Sequence, residues 1–341
     1  MEKSYLIPCR MDRDYFCITP INGSTTISWD WRYEGQTDQQ IDLEYSYNTA
    51  NWTKYTLGTN ITTSDPIYWR GNNKTGFAKT TALHPNNLCH LVLNNTCDLS
   101  GRLSTLTHKF ISASPHTCPN LLLADKSIFA DNTYIHSVKD LILDYIVEAA
   151  HVADVEDQKC YAHLFEGCTS LIDTPVFGAA MRNSPELACA SMFYGCTSLT
   201  TVYDLLEPKG TGCYTWAFWG CTSLQKPPKL PFTNLTAGCY QYMFQGCTNL
   251  TELPRLPATI LPRGCYLGMF LQDGDNYMIS TTQDSTYQYE FRIPISGTAT
   301  YDSQATYPTE KMFASSGHAD TINRKPELNT TYYCKLPTAS E

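Results

Sequence analysis

Thiols are where this sequence first invites chemistry. Fifteen cysteines and eight histidines are enough for a metal centre, a disulfide framework or a nucleophilic pair, and spacing must decide among them. Nine cysteines lie at Cys160, Cys168, Cys189, Cys196, Cys213, Cys221, Cys239, Cys247 and Cys265, and none of the fifteen forms a CxxC. Structural zinc and thioredoxin-like redox centres both use close cysteine pairs, so no metal and no other cofactor is expected. The histidines are scattered, with no HExxH. Cys160 and His163 could be drawn as nucleophile and base, yet Cys160 has period-matched equivalents, and packing accounts for it without catalysis. Gln272-Asp-Gly-Asp-Asn276 lacks the twelfth-position Glu of a calcium loop and reads as a surface turn. Asp30, Glu34, Asp42 and Glu44 offer no spacing that singles out a carboxylate pair. The chain is not expected to be an enzyme.

The cysteines recur because a motif recurs. Its copies are Cys160-Tyr-Ala-His-Leu-Phe-Glu-Gly-Cys168-Thr-Ser-Leu171, then Ala188-Cys-Ala-Ser-Met-Phe-Tyr-Gly-Cys196-Thr-Ser-Leu199. Cys213-Tyr-Thr-Trp-Ala-Phe-Trp-Gly-Cys221-Thr-Ser-Leu224 and Cys239-Tyr-Gln-Tyr-Met-Phe-Gln-Gly-Cys247-Thr-Asn-Leu250 follow. Cys265-Tyr-Leu-Gly-Met-Phe270 and Lys311-Met-Phe313 are weaker copies. The Gly-Cys pair returns after 28, 25 and 26 residues. A period of that length implies a solenoid, in which each unit buries its apolar face against its neighbours. Its expected core is these cysteines with Phe165, Phe193, Phe218, Phe244 and Phe270 and with Leu171, Leu199, Leu224 and Leu250. The cysteines read as a ladder of small buried thiols; disulfides between neighbouring rungs are the alternative.

Within one unit, the apolar spacing from cysteine to Met-Phe suggests a short helix or 3₁₀ turn. Gly then reverses the chain, and Thr-Ser-Leu opens an extended segment ended by prolines, as in Leu224-Gln-Lys-Pro-Pro-Lys-Leu-Pro231. If those segments alternate as strands, Val176, Asp204, Lys229 and Arg255 project from the sheet face. Trp216, Trp219 and Tyr242 fall on the opposite, turn-rich side. There they form a binding patch if exposed, or fill gaps between turns if not.

The Phe-x-Gly-Cys-x-x-Leu signature followed by Leu-Pro resembles the BspA-like, or Treponema-type, leucine-rich repeats. The similarity is greatest to the subfamily found in gut Bacteroidales and their phages, including crAss-like phages. Phe291-Arg-Ile-Pro-Ile-Ser-Gly-Thr298, Met312-Phe-Ala-Ser-Ser-Gly317 and Asn329-Thr-Thr-Tyr-Tyr333 look like that subfamily's closing segment. The resemblance spans about residues 120–335. It departs between Cys160 and Leu205, which lack the Pro-x-Leu-Pro-Ala segment. It implies a repeat surface that recognises protein or glycan.

The rest of the chain reads differently. Tyr15–Thr19, Thr25–Trp31, Ile41–Tyr47 and Pro66–Trp69 alternate with period two between Asn/Gly/Asp clusters, which argues for a β-sandwich. The expected organisation is a mainly β protein with a sandwich-like domain at 1–118. A degenerate segment at 119–159 caps the solenoid, and the solenoid with its closing segment fills 160–341. A net charge of -9 leaves no basic stripe for nucleic acid. The sequence has no run of 18 apolar residues, so no transmembrane helix is expected, and residues 1–10 contain no apolar leader segment. The eight Asn-x-Ser/Thr sequons are accordingly read as chance. The expectation is a virion protein whose partners are other virion proteins or a host-surface protein or glycan, with oligomers allowed. The alternative is a bacterial cell-surface adhesin.

Overall fold

The computed structural model describes residues 15–32, 41–74, 76–81, 84–109, 121–123, 126–145, 161–177, 186–271, 279–286, 288–302, 308–313 and 326–334. The protein is mainly β. Among the described residues its helical structure is the 3₁₀ turn Leu103–Leu106.

Strands form first where β-branched and aromatic residues alternate. They are β1 (Phe16–Pro20), β2 (Thr25–Trp31), β3 (Leu43–Ser46), β4 (Thr53–Lys54), β5 (Ile61–Thr63), β6 (Ile67–Gly71), β7 (Ala78–Thr81), β8 (His84–Leu93) and β9 (Cys97–Arg102). The four strands expected from alternation appear as β1, β2, β3 and β6. One sheet carries β5-β2-β8-β7, and β9-β1-β6-β3-β4 belong to another. The two meet through aromatic side chains. Trp29 of β2 packs edge to face on Trp69 of β6 at 6.1 Å, and Phe16 and Phe77 pack on Trp29.

The larger sheet continues past residue 102. After the short antiparallel pair β10 (Leu122–Leu123) and β11 (Lys126–Ser127), β12 (Ile135–Leu143) runs parallel to β9. Beyond it lies β13 (Val176–Phe177), also parallel, completing seven strands in the order β13-β12-β9-β1-β6-β3-β4. The described part of 119–159 therefore joins the first hundred residues to the repeats within one sheet.

Between residues 161 and 271, and again at 308–313, the described chain winds in stacked turns. The short helices suggested by apolar spacing do not form, and backbone handedness is the reason. A left-handed residue stands at every fourth position: Leu187, Ser191, Gly195; Gly212, Trp216, Gly220; Gly238, Tyr242, Gly246, with φ between 53° and 74°. An α-helix needs consecutive right-handed residues. Here alternate N–H groups are used differently. Ala217, Trp219 and Cys221 donate to carbonyls three residues back. Tyr214, Trp216, Phe218 and Gly220 instead donate to the carbonyls of Cys239, Gln241, Met243 and Gln245 in the next turn, at 2.8–3.0 Å. The same one-way ladder links every described turn to the following one, so no alternate donor is wasted. The proline-bearing segments 225–231 and 251–257 are extended without forming strands. They are joined by the N–H and hydroxyl of Thr251, both donating to the Gln225 carbonyl, and by the Lys226–Glu252 ion pair at 3.6 Å, and proline supplies no N–H for a fuller ladder.

The core is a file of phenylalanines. Phe16, Phe129, Phe165, Phe193, Phe218, Phe244, Phe270 and Phe313 stack at 5.3–5.8 Å between centroids, within 19° of parallel. Phe16 belongs to β1, so the file starts inside the first sheet. At the far end Phe291 meets Phe313 edge-on at 5.1 Å and closes it. Phe291 lies in β16 (Tyr289–Arg292), which pairs with β18 (Thr331–Cys334); β15 (Ile279–Ser280) flanks β18 on its other side. A parallel pair, β14 (Ile260–Leu261) and β17 (Thr300–Tyr301), ties this closing part to the last turns.

The cysteine ladder has a specific role. Each motif's second thiol donates to the carbonyl of the phenylalanine one turn back: Cys168 to Phe129, Cys196 to Phe165, Cys221 to Phe193 and Cys247 to Phe218, at 3.0–3.2 Å. In the inner turns that carbonyl already accepts a backbone N–H, as Phe193 does from Cys196, so the thiol satisfies its second lone pair. All twelve described cysteines are buried and none is in a disulfide; Cys160 lies outside the described residues. Cys221→Ala is expected to lower unfolding free energy by about 1–2 kcal/mol in urea. A loss under about 0.5 kcal/mol would reduce the thiol to a space filler.

Candidate functional site: an outward stripe on the stacked turns

Counted from the first cysteine position, the second, fifth and sixth residues of a motif point inward: Tyr214, Ala217 and Phe218 are all buried. The fourth and seventh lie side by side; the seventh is half-buried in every copy, and the fourth is exposed or half-buried at His163, Trp216 and Tyr242 but buried at Ser191 and Gly268. His163 and Glu166 show this directly, since the imidazole Nδ1 and the carboxylate are hydrogen-bonded. The fourth-position column reads His163, Ser191, Trp216, Tyr242, Gly268, and the seventh reads Glu166, Tyr194, Trp219, Gln245, Leu271.

Trp216, Trp219 and Tyr242, singled out in the sequence, thus come together. Trp216 stacks on Tyr242 at 6.1 Å and 7°, and Tyr194 meets Trp219 edge to face at 4.2 Å. Tyr194 was missed, although it holds in the second copy the position Trp219 holds in the third. Trp216 and Tyr242 keep φ of 57° and 54°, a left-handed conformation that costs a residue with Cβ about 1–2 kcal/mol. The next copy has Gly268 there, and a Cβ on it would overlap the Tyr242 ring.

A charged network adjoins the stripe. Lys126 bridges Glu166 at 2.8 Å and Asp131 at 3.0 Å, while Arg32 pairs with Asp131 and donates to the Ala130 carbonyl at 2.9 Å. Burial opposes ionisation of Glu166, but hydrogen bonds from His163 and Lys126 outweigh it and hold the carboxyl below its ordinary range. For Lys126 burial likewise opposes the charge, and its two carboxylate partners outweigh it and raise the ammonium. Asp131 takes the motif's glycine position at φ 61°, directly over Gly167. Ile128-Phe-Ala-Asp-Asn-Thr-Tyr-Ile135 is therefore a degenerate copy of Met-Phe-x-Gly-Cys-Thr-Ser-Leu. Phe129, stacked on Phe165, and the left-handed Asp131 over Gly167 make the match visible. Beside it a cleft of about 160 Å³ is lined by Arg32, His90, Asn132 and Tyr134 among others. Burial, then the Arg32 charge, pushes His90 below its usual value.

On the other side Asp204, Lys229 and Arg255 are exposed, each followed by a buried leucine, Leu205, Leu230 or Leu256. The alternation expected of that side holds without strand pairing. Val176 is exposed on β13. Of the carboxylates weighed earlier, Glu44 is engaged by Arg70 and Lys109, and Glu34 lies outside the described residues, as does Gln272–Asn276. Among the described residues no group of three His, Cys, Asp or Glu could hold a metal ion, and no helix is long and apolar enough to cross a membrane. No protein-family model matches this chain, and no match is found among curated proteins or solved structures.

Proposed function

We propose that this is a non-enzymatic recognition and structural protein of a phage particle, capsid- or tail-associated: a β-sandwich joined to a leucine-rich-repeat solenoid of the BspA-like type. The observation that carries the reading is the outward stripe of Trp216, Tyr242, Trp219 and Tyr194 on a rigid phenylalanine core. Aromatic residues held in one arrangement bind at low entropic cost, which is why Trp and Tyr dominate recognition surfaces. The one-way ladder between successive turns supports the solenoid reading, because each unit contacts only its neighbours. Free buried thiols suit a protein folded in a reducing cytosol and released by lysis. Its partners are then other virion proteins or a host-surface protein or glycan.

Mass spectrometry of purified particles tests the location. Stoichiometric recovery with the capsid or tail proteins is the expected result. Recovery in the outer fraction of uninfected bacterial cells, and not in particles, would replace this reading with a cell-surface adhesin.

A further inference from the structure

Tyrosine holds the motif's second position in four copies, at Tyr161, Tyr214, Tyr240 and Tyr266, and all four rings are buried. From Tyr214 to Tyr266 they stack at 6.1–6.2 Å between centroids. The second copy breaks the pattern. It reads Ala188-Cys189 where the others read Cys-Tyr, so its thiol sits one residue further along the turn. That shift brings it to the first-position cysteine of the next turn. The Cys189 N–H donates to the Cys213 carbonyl at 3.0 Å, and the two thiols are hydrogen-bonded to each other. A backbone bond of this kind leaves the two Cα atoms about 5–6 Å apart, within the range that a disulfide spans. Both residues are fully buried and neither is in a disulfide. The second-cysteine column is engaged differently: Cys196, Cys221 and Cys247 donate to the carbonyls of Phe165, Phe193 and Phe218.

We propose that Cys189 and Cys213 are a latent staple, a disulfide between neighbouring turns that closes when the protein meets a small-molecule disulfide such as oxidised glutathione. The proposal goes beyond the recognition reading and does not depend on it. The chemistry is two exchanges. One cysteine, as its thiolate, attacks a sulfur of oxidised glutathione, which gives a mixed disulfide and releases one reduced glutathione. The other cysteine, likewise deprotonated, attacks the protein sulfur of that mixed disulfide and expels the second glutathione. Two protein thiols are oxidised, one glutathione disulfide is reduced, and the two protons end on the two glutathione thiols. Burial sets the pace. Neither sulfur can be reached until the turns part, so the pair stays reduced in reducing surroundings and closes slowly in oxidising ones. The turns it joins are already in register, and the bond stabilises by restricting the unfolded chain between residues 189 and 213.

Incubation of the full, reduced chain with oxidised glutathione at pH 8 tests this, in urea just below the unfolding transition so that turns open locally. Trypsin cuts after Arg182, Lys209 and Lys229, which places Cys189 and Cys213 in separate peptides. Mass spectrometry should recover these two peptides joined, and fragmentation should place the link at Cys189 and Cys213, not at Cys196 or Cys221. Refolding from urea in mixed reduced and oxidised glutathione should give the same pair, because there the thiols are reachable before the turns close. The oxidised protein should unfold at a urea midpoint roughly 0.5–1 M higher, and dithiothreitol should reverse the rise. Cys189→Ala, treated identically, should show neither the joined peptides nor the rise. Both thiols still reduced in both arms overturns the proposal. So does a link that joins other cysteines, glutathione retained on Cys189 or Cys213, or a midpoint that falls on oxidation.

Discussion

Replacing Phe218 with alanine is expected to lower unfolding free energy by about 3–5 kcal/mol, measured by urea denaturation. The side chain is fully buried and lies between Phe193 at 5.3 Å and Phe244 at 5.7 Å. Its loss removes two ring contacts and leaves a gap that the turns cannot close. Each turn is pinned to the next by five backbone bonds in this stretch, so collapse around the gap would break them. Because the phenylalanine file runs from β1 to Phe313, the damage should spread to the first hundred residues. A single cooperative transition at lower denaturant is therefore the expected form of the result. Two separated transitions, with the first sheet unfolding at the wild-type midpoint, would show that the two halves are energetically independent. Phe291→Ala, which removes only an edge contact at the closing end, is expected to cost less than Phe218→Ala.

A steep loss of stability just above pH 9 is the second large effect. Burial raises the thiols of Cys168, Cys196, Cys221, Cys247 and Cys265 above their ordinary value, and pushes Cys17 up to about 11 and Cys239 and Cys334 up to about 12. For Cys189 the contact with Cys213 acts first and burial second. The sign follows from linkage. Below pH 9 the thiol is protonated in both states, and stability does not depend on it. Above pH 9 the unfolded thiol ionises while the folded one cannot, so the unfolded state gains. Each such group removes about 1.4 kcal/mol per pH unit until its folded value is reached. Several such groups acting together offset a large part of the stability of an ordinary domain. Unfolding followed by circular dichroism should therefore be complete within about one pH unit above 9, and Cys221→Ser with Cys247→Ser should make it less steep. The same burial should hide all twelve described thiols from a thiol reagent at pH 8 until denaturant is added. A protein stable through pH 10, or one showing few thiols after unfolding without reductant, would mean that the ladder is not made of buried free thiols.

Much of this was legible from residues alone, and some was not. The period of 25–28 residues, the membership of the core columns and the alternation of exposed Asp204, Lys229 and Arg255 with buried leucines all depend on local pattern, which a sequence carries directly. The conformation of the turns was not legible. Apolar spacing from cysteine to phenylalanine fits a helix, but Trp216, Tyr242 and their equivalents are left-handed because the next turn captures every second N–H. That competition exists only once turns are stacked. Phe129 was hidden for a similar reason. Its motif has lost both Gly and Cys, to Asp131 and Asn132, and its place between Phe16 and Phe165, with the left-handed Asp131, identifies it.

The sequence by itself thus determined that the chain repeats, which residues each repeat buries, and that its cysteines follow the period and not a metal or redox geometry. Tertiary structure decided how the halves join, through β12 beside β9 and Phe16 beneath Phe129, since pairing between distant segments leaves no local trace. It also decided that Trp216 meets Tyr242 and that Tyr194 meets Trp219 across neighbouring turns, because that depends on which side chain the adjoining turn places beside each ring.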